Sequence, residues 1–165
     1  MMWKFWEPNI PYGDAAGTFN ESIFRAAEAY LIAAEAIVKG AGNGKLGAAE
    51  VYYNKVVERA LKDPSADPQC AADPANLQSL ESKSYRAAPG SLTIDMILDE
   101  RARELMGEYT RWFDLKRTGK LIERVKKYNP WAQKGTDIRQ IHYLRPIPQS
   151  DIDLSFPSMS QNEGY

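Results

Sequence analysis

Four acidic residues fall within one short stretch of the chain: Asp99, Glu100, Glu104 and Glu108. Paired carboxylates carry out glycoside hydrolysis, in which one acts as an acid and the other as a base or nucleophile. That chemistry needs two carboxylates facing each other across a cleft, and a single helix does not supply both walls. Arg101 and Arg103 lie among the acidic residues, and Asp99 is one helical turn from Arg103. We therefore expect ion pairs within and between helices here, and no catalysis.

Two further patterns resemble catalytic motifs and fail on their spacing. The glycine-rich run 40–45 follows a predicted helix where a phosphate loop follows a strand, and Lys45 precedes Leu46 where that loop has Ser or Thr. Ser84, His142 and Asp151 are the residue types of a catalytic triad, but the chain has no G-x-S-x-G elbow to present the serine. A lone His without a pair of cysteines makes a poor metal site. We predict no catalytic residues, no metal and no cofactor.

Three tryptophans in predicted loops are the candidates for ligand binding. Trp131 follows Asn129-Pro130, and Trp3 and Trp6 lie in the irregular N-terminal stretch. A ring on a loop can stack against the flat apolar face of a sugar. Each ring can instead pin its own loop to the core, and the sequence leaves both alternatives open.

The composition excludes several classes of protein. The chain has 165 residues, which suits one domain, and a net charge of -1, which gives no field to attract nucleic acid or anionic lipid. Cys70 is the only cysteine, so no internal disulfide can form. No apolar run approaches the roughly 18 residues of a membrane-spanning helix. Since the N-terminus also lacks a signal-peptide pattern, we expect this chain alone to be soluble.

A helical hairpin is predicted over about residues 20–61, with Asn20 as a suitable N-cap. The first helix has apolar residues at helical spacing: Ile23, Ala27, Tyr30, Leu31, Ala34, Ile37 and Val38. The second has Ala49, Tyr52, Tyr53, Val56, Val57 and Ala60. Glu35 and Lys39 should pair on the solvated side. The hairpin has the length of a tetratricopeptide unit, which cannot bury its apolar stripe alone, so we expect partner helices from elsewhere.

The remainder is predicted as a long loop over about 62–91 and a helical, proline-rich part over about 92–165. Ser91 or Thr93 should cap a helix that runs to Arg117, bends at Gly107 and ends at Gly119. Its far end bears a structural motif of Arg111, Trp112, Phe113 and Asp114. The two aromatic rings should lie on the core face, and the two charged residues should pair or clamp a neighbouring backbone.

After that helix, Leu121, Ile122 and Val125 indicate a short helix that ends at Pro130. Pro146 and Pro148 favour an extended conformation over 138–149. No pattern indicates a large sheet. The predicted fold is therefore mainly α, a single domain over 1–165 built from tetratricopeptide-like helical hairpins and long irregular loops.

Five segments of the sequence together resemble one protein family. They are AEAYLIAAEA (27–36), YNKVVERA (53–60), LTIDMILDERARELMGEYTRWFDLKRTGKL (92–121), YLRPIPQSDIDL (143–154) and the terminal QNEGY. In this order they are similar to the C-terminal region of SusD/RagB proteins, the nutrient-binding lipoproteins of the Bacteroidetes cell surface. The segment ending in RWFDLKRTGKL and the closing QNEGY are the most specific.

The resemblance implies a mostly helical, non-enzymatic protein that binds glycans or other nutrients at the outer membrane. Its implied partner is a SusC-like TonB-dependent transporter. Members of the family are longer and attach to the membrane through a lipidated Cys, an anchor that this chain does not contain, so we expect a C-terminal fragment, a truncated chain or a wrongly assigned start. The alternative is a helical protein–protein adaptor without carbohydrate affinity, for which the thin, Ala-rich first helix is the motivation.

Overall fold

The computed structural model describes residues 7, 10, 11, 17, 23–42, 46–60, 85–135 and 138–165. In these ranges the chain is mainly helical and contains no strand, which confirms the predicted fold class. The residues form two compact units, one ending at Ile97 and the other beginning at Leu98. None of the described helices is long and apolar enough to cross a membrane. Several predicted features lie outside the described residues: Trp3, Trp6, the Asn20 cap, Ser84, Cys70 and most of the loop 62–91.

The first unit is built around the predicted hairpin. Helix α1 (Ala26–Val38) packs along helix α2 (Ala49–Ala60). Their facing apolar side chains form most of the core of this unit: Ala27, Leu31, Ala34, Ala49, Tyr53, Val56 and Val57. The periodicity of the sequence thus located the buried faces of both helices.

The start of α1 differs from the prediction. The helix begins at Ala26, because Arg25 has an extended backbone (φ -145°, ψ 162°) that cannot continue a helix. Ile23 lies before the helix and is 98% exposed, so its predicted place on the apolar face is wrong. Helix α1 ends at Val38, and Gly40 follows its C-cap with φ +94°. The glycine-rich run 40–45 indicates that the helix stops here.

The Glu35–Lys39 pair is confirmed, with Lys39 Nζ 2.9 Å from Glu35 Oε1. Its position is not the predicted one, because the Glu35 side chain is buried while Lys39 reaches it from the surface. Glu35 and the preceding Ala34 are both buried in α1.

Two polar side chains of α2 hold the segment that precedes the third helix. The side-chain amide of Asn54 donates to the Ala87 carbonyl at 3.0 Å and accepts from the Ala87 N–H at 2.9 Å. Glu50 Oε1 accepts from the Gly90 N–H at 2.6 Å. These bonds satisfy backbone groups of an irregular segment that makes no ladder of its own.

The second unit is a series of short helices. Helix α3 (Ile94–Glu104) enters it from the first unit, and the following elements are α4 (Arg111–Arg117), α5 (Leu121–Tyr128), α6 (Pro130–Gln133), a 3-10 helix (Gln140–Tyr143) and α7 (Gln149–Leu154). Thr93 caps α3, as predicted, by accepting from the Met96 N–H at 3.2 Å.

The prediction of one helix from Thr93 to Arg117 is wrong. The chain leaves the helix after Glu104 and re-enters at Arg111, and the intervening backbone has positive φ at Gly107 (+84°) and Tyr109 (+59°). An α-helix cannot contain such residues. The ring of Tyr109, which fitted the apolar stripe, is 83% exposed.

The later boundaries are closer to the predictions. Gly119 (φ +70°) closes α4, and Lys120 N–H donates to the Leu115 carbonyl across the turn. Helix α5 ends before Pro130, which then occupies the first turn of α6. The extended segment predicted over 138–149 is wrong at Gln140–Tyr143, which form a turn of 3-10 helix.

The C-terminal residues clamp the proline-bracketed segment. Gln161 uses its amide twice on Ile147, accepting from the N–H and donating to the carbonyl, each at 2.8 Å. Asn162 Nδ2 donates to the Arg145 carbonyl at 2.7 Å, and the Tyr165 hydroxyl donates to the Leu144 carbonyl at 3.1 Å. The segment QNEGY therefore fixes 144–147, a role that its sequence alone did not reveal.

Replacing Gln161 with Ala tests this clamp. Alanine can neither accept from the Ile147 N–H nor donate to the Ile147 carbonyl, so we expect a loss of about 1–3 kcal/mol in the stability of the segment. Hydrogen exchange at the Ile147 amide should accelerate accordingly. Gln140→Ala, which removes the same side-chain amide at an exposed position, is the control. Equal exchange rates in both variants would contradict the clamp.

Candidate functional site

A buried carboxylate joins α3 to α4. Asp114 accepts from Arg101 Nε at 2.7 Å and from Arg117 Nη2 at 3.0 Å. The Asp114 and Arg101 side chains are both only 3% exposed. An ion pair this deeply buried depends on both partners, because either charge alone would be desolvated without compensation. The Asp114 network therefore fixes how α4 lies against α3.

The structural motif at 111–114 is arranged differently from the prediction. Phe113 is 64% exposed, so its predicted place in the core is wrong, and Trp112 is half-buried with the Arg145 guanidinium 5.6 Å from its ring centre. The residues of α4 that are buried are Asp114 and Leu115. The predicted backbone clamp is present, because Arg111 Nη1 donates to the Leu98 carbonyl at 2.6 Å.

A groove of about 520 Å³ opens beside Arg111 within the second unit. Three helices supply its walls, and Asn129 lies at one end. The lining residues are Asp99, Ala102 and Arg103 from α3, Arg111 and Leu115 from α4, and Arg124, Val125 and Tyr128 from α5. The volume is within the range of small-molecule sites, about 300–1,000 Å³.

The charges of the groove are mostly positive. Arg124 forms an ion pair with Asp99, and Arg103 forms one with Glu100 at 2.6 Å. Burial lowers the pKa of the Arg111 guanidinium and the neighbouring Arg124 charge lowers it further, while the carboxylates of Asp99 and Asp114 act in the opposite direction. Arginine nevertheless stays charged in proteins, so the groove holds three guanidinium groups. The carboxylate that lines it is that of Asp99.

Two exposed rings lie at and near the end of α5. Tyr128 lines the groove and is 56% exposed, with the Lys127 ammonium 5.0 Å and the Arg124 guanidinium 5.7 Å from its ring centre. Trp131 lies on α6, not on a loop, and is 76% exposed. Its backbone is fixed by Asn129 Oδ1, which accepts from the Trp131 N–H at 3.0 Å. A ring this exposed does not pin its own segment to the core, as the second alternative for Trp131 required.

The acidic residues of α3 have ion-pair roles. Glu100 is buried and bound by Arg103, while Asp99 is bound by Arg124. His142 is held locally, since its Nδ1 accepts from the Arg139 N–H at 2.8 Å. Among the described residues, no group of three or more His, Cys, Asp or Glu side chains could hold a metal ion.

Arg124 and Tyr128 were not among the predicted site residues. Both fall on the stripe of α5 that starts at Leu121, at spacings of three and seven residues. Arg124 is 4% exposed although it is charged. An arginine in the middle of an otherwise apolar stripe could have indicated a buried ion pair, with the acidic run 99–108 as the source of its partner.

Comparisons with known proteins give consistent matches. The sequence model of the SusD family matches residues 1–165. The SusD-like protein P25 of Formosa agariphila is 33% identical over 99% of this chain, and the chain covers 28% of that protein. The starch-binding protein SusD of Bacteroides thetaiotaomicron is 32% identical over 87% of this chain, which corresponds to 21% of its own length. The chain thus spans about a quarter of the length of these relatives.

Proposed function

Because the chain belongs to the SusD family, we propose that it forms part of a glycan-binding component of an outer-membrane nutrient uptake system. The match of the whole chain to that family is the observation that carries the proposal. Members of the family are non-catalytic binding proteins, which agrees with the prediction that the chain is not an enzyme. One relative is named for starch binding, so α-glucans are the first ligands to test.

The surface around Trp131 supports the proposal. An indole that is 76% exposed offers a flat apolar face, and the Lys134 ammonium lies 5.7 Å from its ring centre. Sugars are bound by such a combination of a stacking ring and polar groups that fix orientation. The short helix α6 and the Asn129 cap fix the backbone of Trp131.

The partner and the location follow from the same family membership. We propose that the parent protein acts with a SusC-like TonB-dependent transporter at the outer membrane, where a lipid anchor would hold it. The chain would then supply helical scaffold and one edge of the ligand surface. Co-purification of the parent protein with such a transporter would test this partnership, and recovery without it under mild extraction would contradict it.

The adaptor alternative is favoured by one observation. Apolar side chains of both helices of the hairpin are exposed, with Ile32 at 45% and Val51 at 55%. Exposed apolar surface is typical of contacts with other protein elements. Stable association with a protein through these exposed apolar side chains, with no affinity for any saccharide, would favour the adaptor over the glycan-binding protein.

Trp131→Ala tests the glycan-binding proposal by calorimetric titration with a starch-derived oligosaccharide. Loss of the stacking ring should weaken binding about five- to tenfold, since a stacked ring is worth ~1–1.5 kcal/mol. Phe156→Ala removes a different aromatic ring, which is fully exposed, and should leave the affinity unchanged. The saccharide should be recovered intact. Its cleavage, or no binding of any glycan in a broad panel, would contradict the proposal.

A further inference from the structure

Arg111 is the arginine of the groove that has no direct ion pair with a carboxylate among the described residues. Its guanidinium is half-buried, and its hydrogen bond within the described residues goes to the neutral Leu98 carbonyl. Arg103 and Arg124, in contrast, each bind a carboxylate, on Glu100 and Asp99 respectively. The nearby carboxylates of Asp99 and Asp114 act to raise the pKa of Arg111, but their hydrogen bonds go to other arginines. Arg111 therefore keeps donors that no carboxylate of the described residues occupies.

A partly desolvated cation without a direct carboxylate partner favours an anionic ligand. Removing a charge from water is costly unless an opposite charge or hydrogen bonds replace the lost hydration. Burial lowers the pKa of Arg111, which reports the same desolvation. Since Nη1 occupies one carbonyl, the other N–H groups of the guanidinium fork remain as donors for a planar or tetrahedral anion.

The remaining walls suit a sugar ring. Ala102, Leu115 and Val125 give apolar surface beside Arg111, and the exposed Tyr128 ring stands in the same lining. An aromatic face next to a charged fork recognises a flat apolar body that bears an anionic substituent. The volume of about 520 Å³ accommodates a mono- or disaccharide unit.

We propose that the groove between α3, α4 and α5 binds an anionic sugar unit, with Arg111 holding its carboxylate or sulfate and Tyr128 stacking against its ring. The inference rests on the proposed glycan-binding function and names a ligand class for it. The groove and the Trp131 surface are separate, because Trp131 does not line the groove.

Calorimetric titration of the 165-residue chain with three matched oligosaccharides tests the inference: an oligogalacturonate, a sulfated galacto-oligosaccharide and a neutral galacto-oligosaccharide of equal length. An acidic probe should bind about ten- to a hundredfold more tightly than the neutral one, as expected for a charge-assisted bidentate contact. The two acidic arms distinguish a carboxylate from a sulfate site. Equal affinity for all three probes, or no binding of either acidic probe, would overturn the inference.

Arg111→Gln should abolish the preference for the acidic probe, whereas Lys116→Gln should retain it. Lys116 lies on the same helix, is exposed and does not line the groove, so it controls for the loss of one positive charge. Because Arg111 also holds the Leu98 carbonyl, a melting curve accompanies each variant, and Tyr128→Ala provides a second loss of binding that spares this contact. An unchanged preference in both groove variants would overturn the inference. Binding of a starch oligosaccharide that depends on Trp131 would leave the proposed function standing.

Discussion

Replacing Asp114 with alanine should lower the free energy of unfolding by about 3–5 kcal/mol. Asp114 and Arg101 are each 3% exposed and lie 2.7 Å apart, so the substitution leaves a guanidinium inside the protein without its carboxylate. The loss arises from the stranded Arg101 charge more than from the lost attraction itself. Arg117 loses a partner as well, at the edge of the same network.

Urea unfolding followed by circular dichroism measures this effect, with Glu123→Ala as the control. Glu123 pairs with Lys120 at 3.0 Å, close to the Asp114 distances, but its side chain is 58% exposed. An exposed pair contributes about 0–1 kcal/mol, so the control should remain near the wild type. Comparable losses in the two variants would show that burial does not set the strength of the Asp114 network.

Leu31→Ala should be the second large effect, at about 2–5 kcal/mol. Leu31 is fully buried between α1 and α2, and removing its branched end leaves a cavity that the alanine-rich wall of α1 cannot fill. The cost combines the lost transfer of apolar groups out of water with the cavity itself.

The adjacent residue supplies the control. Ile32 has a similar volume on the same helix but is 45% exposed, so Ile32→Ala should cost much less than Leu31→Ala in the same urea titration. The comparison holds helix propensity nearly constant, because both substitutions introduce alanine within α1. If Ile32→Ala were as destabilising as Leu31→Ala, the orientation of α1 in the hairpin would be wrong.

The hairpin was predictable because one periodic signal decides it. Leu31, Ala34, Tyr53 and Val56 recur at helical spacing, and the residues that end α1 are glycines. The same reasoning failed at Gly107, where the apolar stripe continued through Leu105 and Tyr109 although the backbone turns there. A stripe records which residues are apolar, and it does not record whether the chain between them stays helical.

Buried charged residues explain the other features that the sequence did not predict correctly. The apolar pattern assigned the core face of α4 to Trp112 and Phe113, while the structure buries Asp114 beside Leu115. The partner that makes this possible, Arg101, lies on another helix, so no local pattern around Asp114 could reveal it. The groove could not be predicted for the same reason. Its charged walls come from three helices, and the way these helices approach each other depends on tertiary packing.

The side-chain amides of Asn54 and Gln161 have a consequence for variation in sequence. Each carboxamide imitates a peptide group and joins both backbone partners of one loop residue, Ala87 or Ile147. Neither contact involves the side chain of the residue whose backbone it binds. Loops that end at these two attachment points can therefore differ in length and composition while their ends stay hydrogen-bonded. Binding surfaces on such loops can change while the helices that support them stay the same.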